Sequence, residues 1–238
     1  MSRKNRISYP GACYHIINRG NNGENIFLDD SDRIKFFQIL IKYRNKFNLV
    51  IYSYALMGNH IHLFIKTEEA NISSAMKMIN WSYAVYFNKK YGRKGHLFQS
   101  RFTSKTVGDS RYFMSLIRYI HNNPLKAGFC EKISDYRWSA HKDYLSNNKI
   151  IINGMDEIMN LFSNNIDSYV DFMSSAVDER EYKILNRIRN EDLSLMISKV
   201  KGEKIKIDIR LRINNLVKLD SISEKMMSDI MEESNVSS

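Results

Sequence analysis

Cysteine and proline are scarce, with two of each in 238 residues. Cys13 and Cys130 lack CxxC spacing, so neither a disulfide framework nor a thiolate zinc site can be built from them alone, and both are read as free, buried or partly buried thiols. So little proline, beside 43% hydrophobic residues, excludes collagen-like and wholly disordered chains. No apolar run approaches the roughly 18 residues needed to span a bilayer, and the opening MSRKNRISYPGACYHII lacks the long apolar stretch of a secretory signal. A cytoplasmic protein is therefore expected, built as one domain with an appendage or as two small domains.

Acidic side chains are scarce in one part only. The net charge of +10 divides into 24 basic against 10 acidic residues over 1–150, and 12 against 16 over 151–238. A basic first part suits a polyanionic partner, and without a basic amphipathic helix nucleic acid is favoured over a membrane. All six histidines, both tryptophans and 12 of the 14 tyrosines lie in the same part, which locates the chemistry there. A boundary near residues 147–149 is expected, giving a first domain over 1–148 and a helical region over 149–238.

Residues 13–19 (CYHIINR) read as a strand closed by Gly20-Asn21-Asn22-Gly23, residue types that tolerate turn geometry. A helix follows, capped by Asp29, Asp30 or Ser31 and carrying Ile34, Phe37 and Ile41 at helical spacing. Residues 49–56 and 61–66 form a hairpin across Met57-Gly58-Asn59. A second helix runs over 72–88, a basic loop over 91–95, a strand over 101–107 and a third helix over 110–122, ended by Asn123-Pro124. This β-α-β-β-α-β-α order predicts an α+β, ferredoxin-like antiparallel sheet with helices on one face and the other face open. Short helices are expected at 155–162, 168–173, 179–188, 193–200 and 210–219.

Alternation along Gly58-Asn-His-Ile-His-Leu-Phe-Ile-Lys66 puts Ile61, Leu63 and Ile65 on one sheet face and His60, His62, Phe64 and Lys66 on the other. Two imidazoles about 7 Å apart along a strand can converge on one metal ion, or can be surface or hydrogen-bonded histidines. On the third helix Tyr119 and Asn123 share a face, while Phe113, Ile117 and Ile120 form the apolar stripe. Two imidazoles and an amide oxygen leave positions on a divalent cation for phosphate oxygens. Tyr119 by itself reads as a helix-packing tyrosine and Asn123 by itself suits a helix cap equally well, so it is their pairing that points to a site. In the segment 91–102, Arg93, Lys94, His96 and Arg101 alternate with Tyr91, Phe98 and Phe102, a pattern fit for single-stranded nucleic acid or for a solvated loop with its aromatics in the core.

The blocks PGACYHIINRGNNGENIF, MGNHIHLFIKT, YFNKKYGRKGHLFQSRFTS, RYIHNNPLKAG and DYRWSA, in that order between Tyr9 and Tyr144, resemble the HUH single-tyrosine transposases of short insertion sequences, particularly the REP-associated branch. The resemblance implies nicking and rejoining of single-stranded DNA at hairpins through a 5′-phosphotyrosine. It implies Tyr119 as nucleophile, His60, His62 and Asn123 as metal ligands, and Mg²⁺ or Mn²⁺ as cofactor. Arg19, Lys105 and Arg118 join Arg93, Lys94, His96 and Arg101 as expected DNA contacts, on a monomer or homodimer. The alternatives are a domesticated palindrome-processing nickase and a non-catalytic DNA-binding repressor on the same fold. Relatives commonly carry proline where this chain has Gly58, which predicts a more mobile hairpin. Residues 210–238 faintly resemble a partial helix-turn-helix module, although the acidic balance of the tail argues against strong phosphate binding.

Overall fold

The computed structural model describes residues 8–107 and 110–175. Four strands form one antiparallel sheet in the order β2-β3-β1-β4, namely β1 Cys13–Arg19, β2 Leu49–Leu56, β3 His60–Thr67 and β4 Thr103–Val107. With α1 Asp30–Lys46 between β1 and β2, and α2 Ile72–Lys90 between β3 and β4, this is the expected ferredoxin-like arrangement.

Register decides which side chains share a face. Tyr14 and Ile16 pair with Ile65 and Leu63, whereas His15, Ile17 and Arg19 pair with Phe64, His62 and His60. The first set is apolar and buried under α1 and α2, where Phe36 and Tyr83 meet edge-on at 5.3 Å and Phe37 meets Tyr54 of β2 at 4.9 Å. The start of α1 is fixed by a reciprocal cap, with Asp29 accepting from the Asp32 amide and Asp32 from the Asp29 amide. Lys90, at the end of α2, closes on both carboxylates at 2.8 Å and so ties the two helices together.

The opposite sheet face, which the sequence reading left open, carries α3, Ser110–Lys126. Its Phe113 packs on Phe64 and Tyr52, with ring centroids 4.5 and 4.8 Å apart. The helix does not stop before Pro124, as the bias of pre-proline residues predicts, but continues through it. Burial of Leu116, Ile117 and Ile120 holds the helix in place, and its end is set by Gly128, at a φ of 73°, whose amide bonds the Leu125 carbonyl. The expected strand at 101–107 begins two residues later, and α2 runs two residues longer than expected.

A short helix that the sequence reading did not anticipate, α4 Ala140–Leu145, clasps the outer strand β2. Tyr54 donates to Asp143 at 2.6 Å and Tyr144 to the Tyr52 carbonyl at 2.9 Å. The chain divides into two compact units. The first includes the described residues through Met155 with Ser174 and Ser175, and the second holds residues 156–173. Helices α5, Met155–Asn160, and α6, Ile166–Ser174, match expected elements, and in the second unit Phe162 meets Tyr169 edge-on. The elements expected at 179–188, 193–200 and 210–219, and the helix-turn-helix resemblance, lie outside the described residues.

Candidate active site

Because β3 is flanked by β1 and β2, the imidazoles of His60 and His62 stand on the sheet face that α3 covers. Their ring centroids are 5.1 Å apart and nearly perpendicular. Tyr119 lies edge-on to His62 at 5.8 Å, so the two constellations picked out in the sequence meet. Phe113 sits over Phe64 and Tyr119 over His62, hence α3 runs antiparallel to β3, and Asn123 follows Tyr119 by about one helical turn. Asn123 is buried inside the helix, where its amide nitrogen donates to the Tyr119 carbonyl at 2.8 Å. That bond occupies its donor side and leaves the amide oxygen as an acceptor.

Two residues that the sequence reading passed over complete the cluster. His15 of β1 stacks on His62 at 5.3 Å, meets Tyr119 edge-on at 5.7 Å, and places its Nε2 3.1 Å from His62 Nδ1. Asn59 sets its Oδ1 2.7 Å from His60 Nδ1 and donates from Nδ2 to the Gly23 carbonyl. Strand alternation in CYHIINR could have signalled His15, since Tyr14 and Ile16 fill the apolar face and leave His15 on the other; Asn59, in a hairpin link, carried no such signal.

Burial governs the electrostatics. It lowers His60 to about 4, helped by the charge of Arg19, and His15 to about 3, helped by Lys105. His62 is pushed well below the usual histidine value by burial and then by its neighbours His15, His60 and Arg19. Neutral imidazoles with lone pairs result, the form that a metal ion takes. Lys105, opposite His15 across the β1–β4 pairing, is buried, has no ion-pair partner among the described residues, and is pushed down to about 8 by desolvation.

The expected DNA contacts divide into three groups. Arg19 is exposed at the strand end opposite His60, and the loop bearing Lys94, His96 and Arg101, all exposed, is fastened beside it. The fastening is a bridge from Gly20 to Phe98 and bonds from the Gln99 amide to the Arg19 carbonyl and from the Asn21 amide to the Leu97 carbonyl. Arg93 is engaged by Glu24 and lies over the Phe87 ring. Lys105 and Arg118 are buried, the latter donating to Ser175 at 2.8 Å. The aromatic half of the loop pattern belongs to the protein body. Phe102 is buried, and Tyr91 packs on Phe87 and donates to Asp32. The Gly58 carbonyl accepts from the Ile26 and Phe27 amides.

Among the described residues no group of three or more His, Cys, Asp or Glu side chains could hold a metal ion. A cation at His60 and His62 would need an amide or substrate oxygen as its third ligand. No helix among these residues is long and apolar enough to cross a membrane.

Residues 8–123 match the family model described as "Transposase IS200 like". Among solved structures, a REP-associated tyrosine transposase bound to a REP hairpin shares the fold at a TM-score of 0.52 and 20% identity, over 61% of this chain and 86% of that one. A candidate transposase from Deinococcus radiodurans R1 aligns at 19% identity with a TM-score of 0.36, over 51% of this chain and 97% of that one. No curated protein matches.

Proposed function

We propose, from the premise that residues 8–123 form a domain of the IS200-like transposase family, that this transposase nicks and rejoins single-stranded DNA at hairpins with Tyr119 as nucleophile. The observation that carries the reading is the meeting of Tyr119 with the His60–His62 pair, through contacts between elements more than fifty residues apart in sequence. Attack by the phenolic oxygen on a backbone phosphorus forms the tyrosine–phosphorus bond and breaks the bond to the 3′-oxygen. The proton leaving the phenol balances the one that the 3′-oxygen takes up. The products are a 5′-phosphotyrosine and a free 3′-hydroxyl, and return attack by a 3′-hydroxyl rejoins strands without a nucleotide cofactor.

The donor set fits a divalent cation with open positions, since Nδ1 of both histidines is engaged within the protein and Nε2 of each is the atom left for a ligand. His60 and His62, with the Asn123 oxygen, would hold Mg²⁺ or Mn²⁺. Such an ion withdraws charge from a phosphate oxygen. The protein's own residues position the reactants. Helix α3 sets Tyr119 against the sheet, and Lys105 offers a poorly solvated ammonium on the same face for a backbone phosphate. Arg19, Lys94, His96 and Arg101 extend the positive surface from the strand end along the loop, where unpaired DNA flanking a hairpin would lie. The cited relative's hairpin complex supports a hairpin substrate for this chain as well.

Incubating the full chain with labelled hairpins carrying single-stranded flanks, with Mg²⁺ or Mn²⁺, tests the reading on denaturing gels. A protein–DNA adduct that resists denaturation and maps to Tyr119 is expected. Binding without any adduct across a library of hairpins would favour the repressor.

A further inference from the structure

We propose that Asn59 and His15 are positioning residues behind the histidine pair, Asn59 fixing the ring nitrogen that His60 presents to the site and His15 accepting the Nδ1 proton of His62 when Nε2 of His62 takes a ligand, an inference that rests on the metal-binding reading of that pair.

The case for Asn59 follows from donor and acceptor chemistry. Its Nδ2 lies 3.1 Å from the Gly23 carbonyl oxygen, which can only accept, so the amide is anchored with its NH₂ toward Gly23. The Oδ1 is thereby turned to His60 Nδ1 at 2.7 Å. An amide oxygen has no proton to give, hence the proton of that bond sits on His60 Nδ1. A neutral imidazole has a single N–H, so the lone pair is on Nε2. The orientation of a ligand on β3 is thus set from the turn after β1, through one amide.

His15 acts on His62 with a different logic. Between His15 Nε2 and His62 Nδ1, 3.1 Å apart, there is room for one proton. If it belongs to His15, His62 carries its own proton on Nε2 and cannot ligate. If it belongs to His62 Nδ1, Nε2 is free, and the His15 proton moves to Nδ1, which is buried with no partner among the described residues. A buried N–H without an acceptor is disfavoured, so the metal-free protein favours the first arrangement and a cation at His62 selects the second. His15 is therefore the acceptor that the loaded site requires, and no proton is gained or lost overall in the exchange. Partners of this kind behind a ligating histidine typically change metal affinity by roughly 10- to 100-fold.

Long-range ¹H–¹⁵N correlation spectra of the imidazoles in the metal-free full chain, with Mn²⁺ titration calorimetry, test both parts. The expected spectrum shows His60 protonated at Nδ1 and His62 at Nε2. In Asn59→Ala, His60 should lose its Nδ1 preference and Mn²⁺ affinity should fall roughly 10- to 100-fold. Asn59→Asp, which keeps an oxygen acceptor, should retain the Nδ1 proton. His15→Ala should weaken Mn²⁺ comparably, and His15→Gln, whose side-chain oxygen can accept, should recover most of the loss. His60 protonated at Nε2 in the unaltered chain would overturn the assignment for Asn59, without reliance on any variant. Unchanged Mn²⁺ affinity in His15→Ala would overturn that for His15. If the unaltered chain bound no Mn²⁺, the metal reading would fail, while the His60 spectrum would still decide whether Asn59 positions the ring.

Discussion

A single hydroxyl separates tyrosine from phenylalanine, and at Tyr119 that atom is the one proposed to bond phosphorus. Tyr119→Phe keeps the ring contacts with His15 and His62, so it is expected to abolish adduct formation while changing hairpin affinity by less than about twofold, read by gel shift beside the denaturing assay. An adduct persisting in this variant would reassign the nucleophile. His60→Ala with His62→Ala removes both imidazoles from a sheet face whose apolar packing is supplied by Phe64, Phe113 and Tyr52. The fold should survive, judged by circular dichroism, while cleavage drops by a factor of about 100 or more and calorimetric Mn²⁺ binding disappears. Retained Mn²⁺ binding would make the pair structural.

At the scale of elements, the turn after β1 carries more than its three-residue length suggests. Gly20 has an ordinary extended φ of −60°, so its requirement is one of space: an added Cβ would fall 2.1 Å from the Glu24 carbonyl oxygen and 2.9 Å from Ile26. That carbonyl belongs to the backbone of the turn and cannot move aside cheaply. Gly20→Ala should cost about 1–3 kcal/mol in urea denaturation and should also loosen the loop beside it, because Gly20 bridges to Phe98. Unchanged stability would show that the turn relaxes freely. The same turn offers the Gly23 carbonyl to Asn59, so hairpin affinity and the His60 ring should both respond to its distortion.

Over the whole molecule, charge and burial set the response to solution conditions. Lys94 and Arg101 are exposed on the loop next to the site, whereas Arg93 is held by Glu24. Lys94→Ala with Arg101→Ala should therefore lower the slope of log affinity against log salt by about 1.4, at about 0.7 per phosphate contact on a single strand, whereas Arg93→Ala should leave it nearly unchanged. An equal loss of slope in both proteins would show that Glu24 releases Arg93 to DNA. Burial likewise sets an acid limit. His15 is held near 3, His60 and His141 near 4, and His62 and His121 well below the ordinary 6.5. Below about pH 6.5 the unfolded chain takes up protons that the folded one refuses, so the stability contributed by these neutral rings is complete above that pH and is lost as pH falls toward 4. Each adds up to about 1.4 kcal/mol per pH unit to the decline. Urea midpoints at pH 7.5, 6.0 and 5.0 should fall in that order; a flat profile would mean that the rings are solvated.

The sequence by itself determined the strand and helix order, because alternation in HIHLFIK and helical spacing in α1 and α2 are local patterns that burial then rewards. It also determined that His60 with His62, and Tyr119 with Asn123, share faces, since periods of two and of 3.6 residues follow from backbone geometry alone. Only the tertiary structure decided that the two faces meet, because β3 and α3 approach through contacts of long sequence separation that no local period encodes. The run of α3 through Pro124 was likewise a tertiary outcome, where packing of Ile117 and Ile120 outweighed a local steric bias. The roles of His15 and Asn59 arise from strand register and from one turn carbonyl, and the separation of Arg101 from Arg93 arises from a carboxylate sixty-nine residues upstream of the latter. Such pairings join one backbone position to another distant one, and a composition or a motif carries no record of distance through space.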